Sequence, residues 1–405
     1  MASLSCAEPV TGMQLNDEGS LPGQFAVGAS QDGSSAADRC QQFGKGICFL
    51  LSRSDQLGNL MDALVNQPIV IDSGSGVLKS GFAGDGAPRV SFPSFIGRPK
   101  HVRVMEGGEA ADSDFFIGNQ ANELRGILRL QYPIEHGMVV DWDGMESIWA
   151  HLIHQELRIQ PEEHPVLLTE VALNPVVDRE KMGEIFFDKF NVPAVFFAMQ
   201  PVLSLYAGGR TTGLVLESGD GVTQAVPVVE GFSMPHAVGR IDLAGRDISE
   251  YMQLLLRRAG RRFVTSAEFQ TVRDVKEQMC FIPADVRAEV IFQPTLIGNE
   301  CQSLHDLVIS SIARADLDVR RVLYQTIVLS GGNTLFRGFG ERLLKELRAL
   351  APRGTKLKIF APPERQFSTW VGGSILTSLA TFRNLWISSA EWQERGPSIV
   401  HNRAL

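Results

Sequence analysis

Cysteine is scarce in this chain. Its five cysteines, Cys6, Cys40, Cys48, Cys280 and Cys301, form no CxxC pair and leave one over. That excludes a zinc knuckle and a disulfide framework, and it points to a reducing compartment, the cytoplasm. Excess basic charge is lacking as well. With 38 Lys+Arg against 46 Asp+Glu the net charge is −8, which argues against binding nucleic acid through general basicity. No apolar run is long enough to span a bilayer. The longest near the start, Ile47 to Leu51, has neither a basic leader nor a small-residue cleavage site, so no direct membrane insertion is expected. Residues 1–60 lack helical and strand periodicity and are rich in Gly, Ser, Gln, Asp and Ala. They read as a flexible leader or a spurious one with Met61 as the natural start, and the leader segment is taken as 1–66.

What is present is one phrase written twice. Ile69-Val70-Ile71-Asp72-Ser73-Gly74-Ser75-Gly76-Val77 and Leu214-Val215-Leu216-Glu217-Ser218-Gly219-Asp220-Gly221-Val222 each run apolar strand, acid, Ser-Gly-X-Gly, apolar strand. Glycines in such a turn let backbone N–H groups converge on an anion without Cβ interference. The acid at each strand end can hold a hydrated cation. One such hairpin is commonly an ordinary turn; two in the same register predict a shared phosphate site gripped from both sides.

From Gln67 onward the pattern is α/β. Residues 98–118 read as an exposed loop between short strands. Trp142–Glu156 and Asp178–Phe190 read as helices, Val166–Glu170 and Val195–Ala198 as buried strands. The second half repeats the order, with a turn at 231–235, helices over Ile248–Arg258 and Glu268–Cys280, a strand Ile327–Ser330 ending in Gly331-Gly332, and a strand Lys356–Phe360.

With these residues in view, the chain from about Met61 to Leu405 resembles the actin family nearly end to end. The phrases that carry the resemblance are Tyr132-Pro133-Ile134-Glu135-His136-Gly137, Glu163 to Glu170, Gly209-Arg210-Thr211-Thr212-Gly213 and Trp370 to Leu376. Asn66-Gln67-Pro68, Arg98 to Met105, Phe190 to Ala194 and Thr334 to Gly340 resemble the centractin branch of that family. The resemblance implies a two-lobed fold with duplicated ribonuclease-H-like cores around a nucleotide cleft. It implies ATP or ADP with Mg²⁺, self-association into short filaments, dynactin-type partner subunits serving dynein and microtubule-based transport, and a place in the cytoplasm and cytoskeleton. By the same resemblance the first lobe spans 67–207, with an outer subdomain at 94–132, and is completed by 368–405. The second lobe spans 208–367, with an outer subdomain at 244–299.

The resemblance also assigns roles. Gly74, Ser75, Gly76 and Lys79 take the phosphates from one side, and Gly219, Asp220 and Gly221 from the other. Asp72 and Glu217 hold the metal through water. Arg273, Lys276, Glu277, Gly332 and Phe336 line the adenosine pocket. Gln200 orients the attacking water, because phosphoryl transfer depends on positioning and electrostatics.

Several departures weaken the catalytic side of that picture. Glu217 stands where the family has Asp, so its carboxylate is expected to reach further into the metal's water shell. Gln224 replaces a histidine that helps hold the water, and Pro201 follows Gln200 at the hinge. Weak or absent ATP hydrolysis is therefore expected. Gln366 stands where actin has lysine. Between Cys280 and Pro294 the chain lacks roughly thirty residues present in relatives, a loss beyond the scale of ordinary loop variation; the outer subdomain of the second lobe is thus shortened and its apolar surface uncovered. Residues 101–114 match the loop by which one actin subunit docks into the next, and the chain ends in Ala404-Leu405 without the usual final aromatic. The other readings are a divergent or non-polymerising actin-like protein, of the actin cytoskeleton or a nuclear chromatin complex, and a metabolic kinase of the same superfamily. A kinase needs an additional acidic base and a sugar pocket, for which no motif is found.

Overall fold

The computed structural model of the protein describes residues 67–100, 115–283 and 289–401. The leader, the 101–114 docking loop, the middle of the shortened stretch at 284–288 and the last four residues lie outside the described residues.

Apolar runs broken by glycine turns build two sheets. In the first, β1 (Ile69–Ser73) and β2 (Val77–Phe82) form an antiparallel hairpin that sets Asp72 opposite Lys79, and β3 (Val90–Pro93) extends it antiparallel. The chain then forms a small outer sheet from β4 (Ile96–Pro99), β5 (Phe116–Ile117) and β6 (Leu128–Gln131), and a short ribbon from β7 (Ile134–Glu135) and β8 (Met138–Val139). It returns as β9 (Val166–Glu170), parallel to β1, and β10 (Ala194–Met199), parallel to β9. Parallel pairing needs crossovers, which the helices Trp142–His151 and Val176–Glu184 supply. β1, β9 and β10 are buried almost throughout, as strands covered on both faces must be.

The second sheet repeats the plan. β11 (Gly213–Ser218) and β12 (Thr223–Val229) pair antiparallel with Glu217 opposite Gln224. β13 (Phe232–Ser233) and β14 (Gly239–Ile241) both pair with β12. β15 (Ile327–Ser330) lies parallel to β11 and β16 (Ile359–Phe360) parallel to β15, while β17 (Ile387–Ser388) closes the first sheet against β10. Antiparallel strands followed by two parallel ones, in the same spatial order twice, are the duplicated cores expected from the sequence. Asp72–Lys79 and Glu217–Gln224 therefore occupy the same position in the two copies.

The lobes meet at paired helices, Gln200–Ala207 and Ser368–Ser378, where an apolar cluster of Val70, Leu203, Val215, Val328 and Trp370 bridges both sheets. The backbones touch here. A Cβ on Gly372 would lie 1.8 Å from the Leu203 carbonyl oxygen, so only glycine fits. Pro201 sits in the first turn of its helix, where its missing N–H costs nothing. At the far end the outer elements also touch. The Leu130 N–H donates to Ser266 Oγ at 3.2 Å, Arg125 pairs with Asp274 at 3.4 Å, and the Arg246 guanidinium lies 4.2 Å over the Tyr132 ring.

Several element boundaries differ from the sequence reading. Arg98 and Pro99 belong to β4, and Phe116 and Ile117 to β5, anchored by a small core with Phe95 and Leu128. The helix from Trp142 changes to wider turns at Leu152. The expected Ile248 helix starts at Gly245, because the Asp247 carboxylate accepts the Ala244 N–H at 2.8 Å and caps an earlier turn. The next helix starts at Ser266, where Thr265 and Glu268 cap each other reciprocally. Turn 231–235 contains β13, and the Lys356–Phe360 strand is only Ile359–Phe360.

Candidate functional site

The two glycine hairpins face each other at the floor of a cleft of about 1100 Å³ between the lobes. They are in contact. A Cβ on Gly76 would lie 2.7 Å from the Asp220 side chain, and one on Gly221 would lie 2.5 Å from Ser75 Oγ. Glycine is needed at both positions for the loops to approach this closely. Among the described residues the amide N–H groups of Ser75, Gly76, Asp220 and Gly221 have no acceptor. Four unspent donors on two opposed loops fit an anion such as a phosphate chain.

Arg246 holds the loops together. It donates to Asp220 Oδ2 at 3.0 Å on one loop and to the Ser75 carbonyl at 2.9 Å on the other. His136 Nδ1 lies 2.9 Å from the Gly221 carbonyl oxygen, and the Gly137 N–H donates to Ser75 Oγ at 3.0 Å. Arg246 and His136 were not among the site residues expected from the sequence. Nothing in the spacing of Arg246, at the first turn of its helix, distinguishes it from an ordinary solvated arginine.

Behind the loops sit the two acids. Asp72 is buried and fully partnered: Lys79 Nζ donates to Oδ2 at 2.8 Å, while Thr169 Oγ1 and Gln200 Nε2 donate to Oδ1 at 2.7 and 3.0 Å. Glu217, at the equivalent position of the second copy, has no such cation. Gln224 Nε2 donates to its Oε2 at 2.7 Å and Thr369 Oγ1 to its Oε1 at 3.2 Å. Burial pushes the Glu217 carboxyl up to about 7. Glu217 lines the cleft, and its longer side chain also reaches partners in the wall. It brings both oxygens into hydrogen bonds within the wall, with Gln224 and Thr369. Gln224 is itself fully buried and also accepts the Ala172 N–H from the first lobe at 3.0 Å. Among the described residues no group of three or more His, Cys, Asp or Glu is arranged to hold a metal.

A third wall comes from β15 and the turn after it. Gly331, with φ +87, lets this turn pass so close to Ser218 that a Cβ would lie 2.2 Å from its carbonyl oxygen. Thr223 Oγ1 spends its proton on the Leu243 carbonyl at 2.7 Å, so Ser218 Oγ donates to Thr223 at 2.8 Å and accepts Asn333 Nδ2 at 2.9 Å. This order of donors leaves Asn333 Oδ1 buried with no partner, on a residue that lines the cleft. A bound hydroxyl or amine would satisfy it.

The expected adenosine end holds Arg273, Lys276, Glu277, Gly332 and Phe336 on one lining, with Gln366 beside them. Lys276 is buried, its Nζ donating to the Gly245 carbonyl at 2.6 Å, and burial lowers its pKa to about 8. Arg273 pairs with Glu277 at 2.9 Å and stands 3.7 Å from Asp220. Where the chain is short, Met279 and Phe281 are 71% and 50% exposed at the rim. All the expected loop and pocket residues, with Gln200 and Glu217, line one cleft. Asp72 and Gln224 stand directly behind its wall.

A duplicated sheet with opposed glycine hairpins in an interlobe cleft defines the actin fold, and comparison of the sequence agrees. The actin family profile matches residues 63–291 and 286–405, so the chain belongs to the actin family. The match divides within 286–291, at the shortened stretch. A relative named actin-like protein, from Neurospora crassa, is 49% identical over 381 aligned positions that take 85% of this chain and all of that protein.

Proposed function

We propose that this chain is an actin-related cytoskeletal subunit whose cleft holds ATP or ADP with Mg²⁺. In this reading the nucleotide sets the shape presented to neighbouring subunits. The observation that carries the reading is the pair of touching hairpins with four unspent amide donors, backed by Lys79 and two acids. Gly74 to Gly76 and Gly219 to Gly221 cradle the phosphates, and Lys79 supplies a point charge. Asp72 and Glu217 order the metal's waters, and Arg273, Lys276, Glu277, Gly332 and Phe336 hold the nucleoside. When bound, the magnesium neutralises phosphate charge.

Hydrolysis is slow in this proposal, because Gln224 is not free to hold a water and only the carbonyl oxygen of Gln200 remains for that role. Gln200 Nε2 donates to Asp72 Oδ1 and to Thr169 Oγ1, at 3.0 and 3.3 Å. Gln224 has both ends of its amide spent between Glu217 and Ala172. The segments resembling centractin support assembly into short filaments with dynactin-type subunits in the cytoplasm. Titration calorimetry of the full chain with Mg-ATP, followed by sedimentation with and without nucleotide, tests the reading. Heat of binding and a nucleotide-dependent pellet are expected. Absence of heat from native protein refutes the cleft assignment, and binding without a pellet refutes the filament.

A further inference from the structure

A chain of buried hydroxyl groups runs from the cleft through the hinge. Thr369 Oγ1 donates to Glu217 Oε1 at 3.2 Å. Ser204 Oγ lies 3.0 Å from Thr369 Oγ1 and 2.9 Å from Ser330 Oγ. Ser204 and Ser330 are 1% exposed and Thr369 is 4% exposed, so water does not compete for these bonds.

The four residues come from four elements, two strands of the second lobe and the two helices of the hinge. Glu217 is the last but one residue of β11 and Ser330 the last of β15, both in the second lobe. Ser204 is on the helix Gln200–Ala207 and Thr369 on the helix Ser368–Ser378, the two connections between lobes. Each hydroxyl has one proton, and Glu217, once ionised, only accepts. The Thr369 proton therefore goes to Glu217, the Ser204 proton to Thr369, and the Ser330 proton to Ser204. The bonds share one direction, and that direction is set at Glu217. Gln224 holds the other carboxylate oxygen, so Thr369 is the link toward the hinge.

We propose that Thr369 is a positioning residue that couples Glu217 to the hinge, so that a ligand engaging this carboxylate from the cleft re-orders the hydroxyl chain and is felt in the helix Gln200–Ala207. The proposal rests on the cleft holding Mg-ATP and adds how its occupancy reaches the hinge. Drawing Oε1 toward the cleft leaves the Thr369 proton without an acceptor in a dry site, an expensive state. The cheaper outcome is rotation of the hydroxyls or a small shift of the helices that carry them. Shape complementarity is tight at this point, where Gly372 meets Leu203, so a shift of one helix is passed to the other.

Hydrogen exchange on the full chain, with and without Mg-ATP, tests this. The variants are Thr369→Val, which keeps shape and removes the hydroxyl, Thr369→Ser, which restores it, and Ser204→Ala, which cuts the chain one link further on. In the wild type and Thr369→Ser, Mg-ATP is expected to slow exchange at least threefold both in the hairpin loops around Gly74–Gly76 and Gly219–Gly221 and in Gln200–Ala207. In Thr369→Val and Ser204→Ala the loop protection persists while the hinge response falls below a third of its wild-type size. A hinge response retained in either variant, or lost in Thr369→Ser, overturns the proposal. If Mg-ATP leaves even the wild-type loops unprotected, the nucleotide reading fails first and the coupling falls with it. Should Thr369→Val not fold, Ser204→Ala alone decides.

Discussion

Replacing Glu217 by glutamine removes a buried cleft acid whose hydrogen bonds come from neutral groups, Gln224 and Thr369. Burial raises its carboxyl from the ordinary 4.5 to about 7. The folded form therefore holds its proton where the unfolded chain has lost it. Stability from this group is fully present below the unfolded value and is lost as pH rises through the folded one. Between pH 5 and pH 8 the wild type should lose about 2–3 kcal/mol that the variant keeps, since a tenfold difference in proton affinity between the folded and unfolded chain is worth about 1.4 kcal/mol. The substitution also has a cost that does not vary with pH. The new amide keeps an acceptor for Thr369, but its NH₂ faces Gln224, whose amide must turn and present its own NH₂ to the Ala172 N–H. The informative quantity is therefore the change with pH in the stability difference, measured by urea unfolding of both proteins in chelator at pH 5 and pH 8. A difference that is the same at both values refutes the assignment of Glu217 as a buried acid that holds its proton toward neutrality.

Gly221→Ala places a methyl 2.5 Å from Ser75 Oγ and 3.1 Å from the His136 nitrogen; calorimetry should show at least a tenfold loss of Mg-ATP affinity, and unchanged affinity would mean that the loops are not the cradle. Gln224→Ala strips a donor from Glu217 and an acceptor from Ala172, which should cost roughly 2–4 kcal/mol in urea unfolding at pH 8. Lys276→Met removes an ammonium whose pKa burial lowers from 10.5 to about 8. The wild type bears the full penalty below the lower value and none above the higher one. Its deficit against the variant should shrink by about 2 kcal/mol between pH 7 and pH 9.5.

The architecture was legible because its signals are local and repeated. Glycine spacing, an acid in fixed register and alternating apolar runs mark both hairpins, and the structure sets Asp72 opposite Lys79 and Glu217 opposite Gln224. What was not legible is what long-range packing decides. Thr369 reads as one more helix residue until the fold brings it to Glu217, 152 positions away in the chain. Arg246 looks like a solvated side chain until it meets Ser75, 171 positions distant. The partners of Glu217 were hidden for the same reason: side-chain length is in the sequence, but Gln224 and Thr369 as its donors are not. The short strand at Ile359–Phe360 was overestimated because Lys356 and Leu357 share its alternation but make no ladder contacts.

With Ser75 already resting against Gly221 and Arg246 spanning both loops, the jaws are latched at their root while about 1100 Å³ of cleft lies above them. Entry then need not wait for the jaws to part. Stopped-flow association rates should rise in proportion to nucleotide concentration, and a plateau would refute this by showing that an opening step comes first.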